Sequence, residues 1–240
     1  MNPPVIEIGQ MKILGLPIAS LILVHLMSFA EATYFPRKGG LLQVDLTEFA
    51  RYRAIRLSKL GPTRFDCGRM IVEPAFAPEY SVSVYSRQKE GKQRVYFATY
   101  VLAGSSLWQN SEIGRYPQRA EAIRVHRIDA KVPKRTAKLL KEAWLQMLSG
   151  AQRPRSIREE DVRSTDSTVA EFSIETSAGK SLQGEVLDIA SPPGQKAKAL
   201  LELANSLIDY CKTEPAKRPS LVSELDRKAT SLLALLKQAE

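Results

Sequence analysis

"TVAEFSIETSAGKSLQGEV", Thr168–Val186, decides the fold, because apolar residues recur at every second position on both sides of a glycine. Ala170, Phe172 and Ile174 alternate with Glu171, Ser173 and Glu175, and Leu182 and Val186 carry the pattern onward. Strand side chains point to opposite faces in turn, so the pairing register decides which set is buried. A three-residue loop, Ser177-Ala178-Gly179, sets Ile174 opposite Leu182 and Ala170 opposite Val186, whereas a two-residue loop mixes the faces. It also puts Gly179 at the left-handed position of a type I turn with a G1 bulge. This hairpin is expected to bury Phe172, Ile174, Leu182 and Val186, and to expose Glu171, Glu175 and Glu185 as an acidic face.

After the hairpin, Ser191-Pro-Pro opens a helix with the stripe Ala197, Leu200, Leu201, Ala204, Leu207, Ile208 and Cys211. Pro215 and Pro219 mark a linker, and Val222, Leu225, Ala229, Leu232 and Leu236 then recur at three- and four-residue spacing. Two heptads fall short of a coiled coil, so an ordinary terminal helix packed on the domain is the stronger reading.

Before the hairpin, the polar connector Ser149–Asp166 separates it from a similar unit. Tyr80–Val84 and Val95–Leu102 flank the turn "QKEGKQ" as a first hairpin, and Ile123–Ile128 alternates as a third strand with Ile123 and Val125 on one face. Pro133 then opens a helix with the stripe Ala137, Leu140, Ala143, Trp144, Met147 and Leu148. Residues 33–78 read two ways. Asp45-Leu-Thr-Glu48 has capping-box form, yet Tyr52, Ala54 and Arg56 alternate with Arg53, Ile55 and Leu57 as a strand does. The whole predicts an α+β fold of antiparallel β-hairpins packed against amphipathic helices in two layers, after an N-terminal signal peptide. The domain spans 33–211, with hairpin–helix halves at 79–148 and 169–211, followed by a linker and C-terminal helix over 212–240.

The signal peptide is residues 1–32. Lys12 supplies a positive start, Leu14–Phe29 an apolar run, and Ala30-Glu31-Ala32 the small-residue end that predicts cleavage after Ala32. Glu7 weakens the ten residues before Met11, so translation starting at Met11 would explain the offset. An uncleaved anchor is the alternative, since the run is just long enough to span a bilayer. Cleavage leaves 208 residues and removes one lysine and two glutamates, which raises the net charge from +9 to +10. So basic an exported chain, periplasmic or secreted, is suited to anionic envelope polymers, lipid headgroups or acidic proteins, and export ranks nucleic acid below them. Cys67 and Cys211 have one way to pair; an oxidising compartment favours the disulfide, against two buried thiols.

Catalytic motifs are sparse. Gly179-Lys180-Ser181 ends like a P-loop, but Ile174 stands where the first glycine must be. Ser105 and Ser106 follow Gly104 without a nucleophile elbow, and Glu159, Glu160 and Asp161 sit in the polar connector. His126 lies between Arg124 and Arg127, and no His/Cys spacing predicts a metal, so neither cofactor nor metal is expected. Eight basic residues, Arg115, Arg119, Arg124, Arg127, Lys131, Lys134, Arg135 and Lys138, stand against Glu121 and Asp129 and form the candidate binding region. Tyr80, Tyr85, Tyr96 and Tyr100, with Arg87 and Arg94, offer an aromatic platform, although packing explains strand tyrosines more often. Three functions compete: non-enzymatic binding of an anionic macromolecular partner, a periplasmic inhibitor or immunity-type protein, and a hydrolase using His126 with Glu121 or Asp129.

Overall fold

The computed structural model of the chain describes residues 50–61, 64–88, 93–111, 117–151, 168–186, 189–190, 192 and 194–238. All of these fall within the compact unit Glu31–Glu240. The signal-peptide expectation and most of the polar connector lie outside the described residues. In chain order the elements are α1 (Ala50–Leu60), β1 (Arg69–Glu73), β2 (Tyr80–Gln88), β3 (Arg94–Ala103), α2 (Leu107–Asn110), α3 (Pro117–Glu121) and β4 (Val125–Val132). They continue with α4 (Lys134–Ser149), β5 (Val169–Glu175), β6 (Ser181–Val186), α5 (Gly194–Lys212) and, after a 3-10 turn at Pro215–Lys217, α6 (Arg218–Lys237).

The six strands form one antiparallel sheet in the order β4-β3-β2-β1-β5-β6. Every ladder pairs even-numbered with even-numbered residues, so parity names the face across the whole sheet. The even face carries Met70, Val72, Val82, Val84, Ala98, Ala130, Val132, Ala170, Phe172, Ile174 and Val186, which merge with the stripes of α4, α5 and α6 into the main core. α4 and α5 lie on the strands, and α6 packs on both through Leu225, Ala229, Leu232 and Leu233. The odd face is covered by α1. Its Tyr52, Ile55 and Leu60 meet Ile71, Val101, Ala103, Leu107 and Ala120 in a second, smaller core. The expected α+β architecture is present, but helices occupy both sheet faces where two layers were expected.

The second hairpin has the expected register, Ala170 opposite Val186 and Ile174 opposite Leu182. Gly179 takes φ +74°, its N–H donates to the Thr176 carbonyl at 3.0 Å, and Thr176 N–H donates to the Lys180 carbonyl at 2.8 Å. The expected acidic face is not there: Glu171 and Glu185 are 3% and 5% exposed, because α1 sits over that side. β4 begins and ends later than the alternation suggested, and Ala130 and Val132 are its buried residues while Val125 is 38% exposed. Pro133 precedes the first turn of α4 as its N-cap, and the whole α4 stripe is buried.

The disulfide is absent: Cys67 and Cys211 are free, buried thiols. Both belong to the main core, Cys67 beside β2, where its N–H donates to the Val84 carbonyl at 3.1 Å, and Cys211 on the inward stripe of α5. Apolar packing, which either residue satisfies alone, accounts for both positions. Burial first, then nearby Asp66 for Cys67, pushes that thiol up to about 12; burial, against Arg218, does the same for Cys211. A folded sample at pH 8 is therefore expected to react with an aromatic disulfide reagent only as fast as it unfolds. Rapid modification of either thiol in native buffer would contradict that placement.

Candidate functional site

The basic region follows from where the chain turns the sheet's edge. Arg115 lies outside the described residues. The other seven are all exposed: Arg119 on α3, Arg124 just before β4, Arg127 and Lys131 on odd positions of β4, and Lys134, Arg135 and Lys138 in the first turns of α4. β4 is an edge strand, and charged side chains there also keep a foreign strand from pairing with its open backbone. Parity places Arg127 and Lys131 on the α1 side of the sheet, while α4 departs toward the other side. The strip thus wraps the edge. Two carboxylates moderate it, with Arg127 3.6 Å from Asp129 and Arg135 3.5 Å from Asp226. Solvated pairs of this kind are worth ~0–1 kcal/mol and leave most of the positive field in place. The first turn of α4 has no acidic residue and Pro133 offers no side-chain cap, so the helix dipole adds to that field. A shallow groove of about 580 Å³ lies here, lined by Lys134, Arg135, Lys138, Leu139 and Glu142.

His126 is exposed on β4, opposite Leu102. Asp129 accepts from Thr99 Oγ1 and sits beside Arg127, and Glu121 is exposed on α3. The structure thus commits Asp129 elsewhere, and neither carboxylate is brought to the imidazole as the hydrolase reading needs. Among the described residues no cluster of three or more His, Cys, Asp or Glu side chains forms that could hold a metal ion. No helix among them is long and apolar enough to cross a membrane.

Parity divides the tyrosines. Tyr80, Tyr96 and Tyr100 pack against the helix-side core; Tyr80 and Tyr100 stand 6.2 Å apart, and Lys212 Nζ lies 4.5 Å above the Tyr100 ring. Tyr85 is on the odd face, stacked on Phe97 at 6.0 Å, and its hydroxyl accepts from Arg87 Nη2 at 3.0 Å. They form no common platform.

Among the described residues, a buried polar cluster lies beneath α1. Glu171 opposes Glu185 on β6 and Ile71 on β1, so two carboxylates stand side by side on a covered face. Arg53 and Arg56, three apart on α1, descend on Glu171 at 3.0 and 2.8 Å, and Arg56 also binds Glu73. Burial opposes ionisation of Glu171, but Arg56, Arg53 and Arg69 together outweigh it and hold the carboxyl below its ordinary range. Burial likewise works against the Arg56 charge, and Glu73 and Glu171 reverse it, leaving that guanidinium more firmly protonated than usual. Arg69 donates through Nε to Ser173 Oγ at 3.0 Å and lies 4.0 Å over the Phe65 ring. Burial lowers it to about 10, and the neighbouring Arg56 and Arg53 act in the same direction, so it stays charged at neutral pH.

A second anion anchors α2. Glu79, fully buried, accepts the N–H groups of Leu107 at 2.6 Å and Trp108 at 2.7 Å and the Tyr52 hydroxyl at 3.0 Å. Burial and the Glu79 and Glu73 charges raise the Tyr52 phenol far above its ordinary value, so it remains a donor. Glu73, Glu79 and Glu171 are engaged by guanidinium, amide or hydroxyl donors and hold α1 and α2 to the sheet. The signal for this cluster was in "YRAIR", Tyr52–Arg56, whose two arginines match the odd-parity glutamates once the segment is helical. No family model, no curated protein and no solved structure matches this chain.

Proposed function

We propose that the chain is an exported, non-enzymatic binding protein that holds an anionic macromolecular partner, an envelope polymer in the first instance, on the basic strip around the β4 edge. The observation that carries this reading is the exposure of all seven described basic residues between Arg119 and Lys138, while Glu171 and Glu185 are withdrawn from the surface. The field therefore reaches solvent where a polyanion can meet it. His126 takes no part.

Retention on an immobilised anionic polysaccharide tests it. Lys134→Glu together with Lys138→Glu is expected to weaken binding on the order of tenfold and to flatten its dependence on salt, because attraction between exposed charges is screened within a Debye length of about 10 Å at 0.1 M. Unchanged retention at low salt would remove the charge-driven reading, and a salt-resistant protein partner would bring the inhibitor reading forward. Export is read separately, by a secreted chain whose mass begins at Thr33.

A further inference from the structure

The loop Pro74-Ala75-Phe76-Ala77-Pro78, between β1 and β2, carries no polar side chain. Phe76 is 73% exposed, and among the described residues it and Val125 are the two large apolar side chains left in solvent. They lie at the same end of the sheet: Val125 pairs with Ala103, whose N–H donates to the carbonyl of Glu79, three residues after Phe76. The loop is held in place rather than loose. Gln109 Nε2 donates to the Ala75 carbonyl at 3.3 Å, Glu73 is bound by Arg56, and Glu79 is buried beneath α2. Both glutamates that flank the loop in sequence are thus turned inward, so an apolar tip projects without the negative charge its neighbours suggest. Exposed Arg124, whose carbonyl accepts the Gly104 N–H at 2.8 Å, and exposed Arg119 stand at this end, with Glu121 as the exposed carboxylate between them in sequence.

We infer that this end of the sheet docks on an anionic phospholipid surface, with Phe76 entering the headgroup region and Arg124 and Arg119 meeting the phosphates. An aromatic side chain on a braced loop loses little freedom on insertion, and basic residues beside it gain from the negative potential of an anionic leaflet. A protein pocket would accept the ring, but the exposed arginines at the same end of the sheet and the chain's net charge of +9 favour a surface that is negative over a wide area. Arg119 and Arg124 belong to the basic strip as well, but Lys134 and Lys138, whose reversal tests the proposed function, follow the opposite end of β4, so the two experiments can fail separately.

The test uses the full chain carrying Phe76→Trp, with vesicles of mixed phosphatidylglycerol and phosphatidylcholine and with phosphatidylcholine alone. The unsubstituted chain, with Trp108 and Trp144, is the reference. The added indole is expected to shift its emission to the blue and to be quenched by brominated lipid on the anionic vesicles, and much less on the neutral ones. Because the reading is local, it does not depend on how residues 1–32 meet the bilayer. In sedimentation, Phe76→Ala is expected to lower partitioning on the order of tenfold, as removal of a large apolar side chain from a buried position does, and Arg124→Glu to lower it as well. A water-like, unquenched indole overturns the proposal, whether or not the protein sediments with the vesicles. So does partitioning that Phe76→Ala leaves unchanged, including the case in which Lys134→Glu with Lys138→Glu abolishes it.

Discussion

Glu171→Ala is expected to cost about 3–5 kcal/mol of folding stability, the range seen when one partner is removed from a buried ion pair and the other charge is stranded. Here the loss leaves Arg53 and Arg56 facing the sheet without the carboxylate they share, beside an already buried Arg69. Urea unfolding at neutral pH measures it. Replacing the set together, Glu171→Leu with Arg53→Leu and Arg56→Met, is expected to cost less than the single change, since both guanidiniums leave with the carboxylate they share and only the half-buried Glu73 loses a partner. The same carboxyl predicts an acid response of definite sign. Its folded-state value is depressed, so its contribution is complete above the ordinary glutamate range and is lost as the pH falls through the lower folded value. A wild-type acid transition that Glu171→Ala leaves unaltered, or a cost below about 1 kcal/mol, would show that α1 is not held by these ions.

The second large effect is expected at Gly68. Its φ is +121°, in the region that favours glycine, and a Cβ there would lie 2.6 Å from the Trp144 ring. Trp144 cannot move aside freely, because it is buried in the main core, stands 6.2 Å from the Phe172 ring and donates its indole N–H to the Arg69 carbonyl at 3.3 Å. Gly68→Ala therefore combines a strained backbone with an overfilled core and is expected to destabilise by about 2–5 kcal/mol, or to prevent folding. Pairing it with Trp144→Leu separates the two causes. If the clash dominates, the double variant is more stable than the sum of the two single losses predicts. Strict additivity would assign the whole cost to φ.

Much of the helix-side architecture was legible in the sequence because it follows from a single rule, apolar side chains at the period of their element. Phe172, Ile174 and Val186 share one parity, and Ala137, Leu140, Trp144 and Leu148 share one helix face, so burial and pattern agree. The odd face was misread for the same reason. A polar alternation such as Glu171-Ser173-Glu175 looks solvated when the segment that covers it is itself ambiguous, and α1 covers it with arginines as well as apolar residues. β1, "RMIVE", escaped notice because its four buried residues belong to both faces and leave no clean alternation. The basic strip was visible as composition. Its wrapping of a sheet edge was not, since Lys131 and Lys134 are near in sequence but fall on different elements.

Because one sheet carries apolar packing on both sides and the buried ion pairs of Glu171 on its odd side, its two surfaces differ in their response to acid. Cooling weakens the attraction that holds α4, α5 and α6. Acid instead acts on Glu171 and hence on α1, while ordered ion pairs lose part of their dehydration cost on warming. Temperature therefore acts on both sides of the same six strands, whereas acid acts through Glu171 on the α1 side.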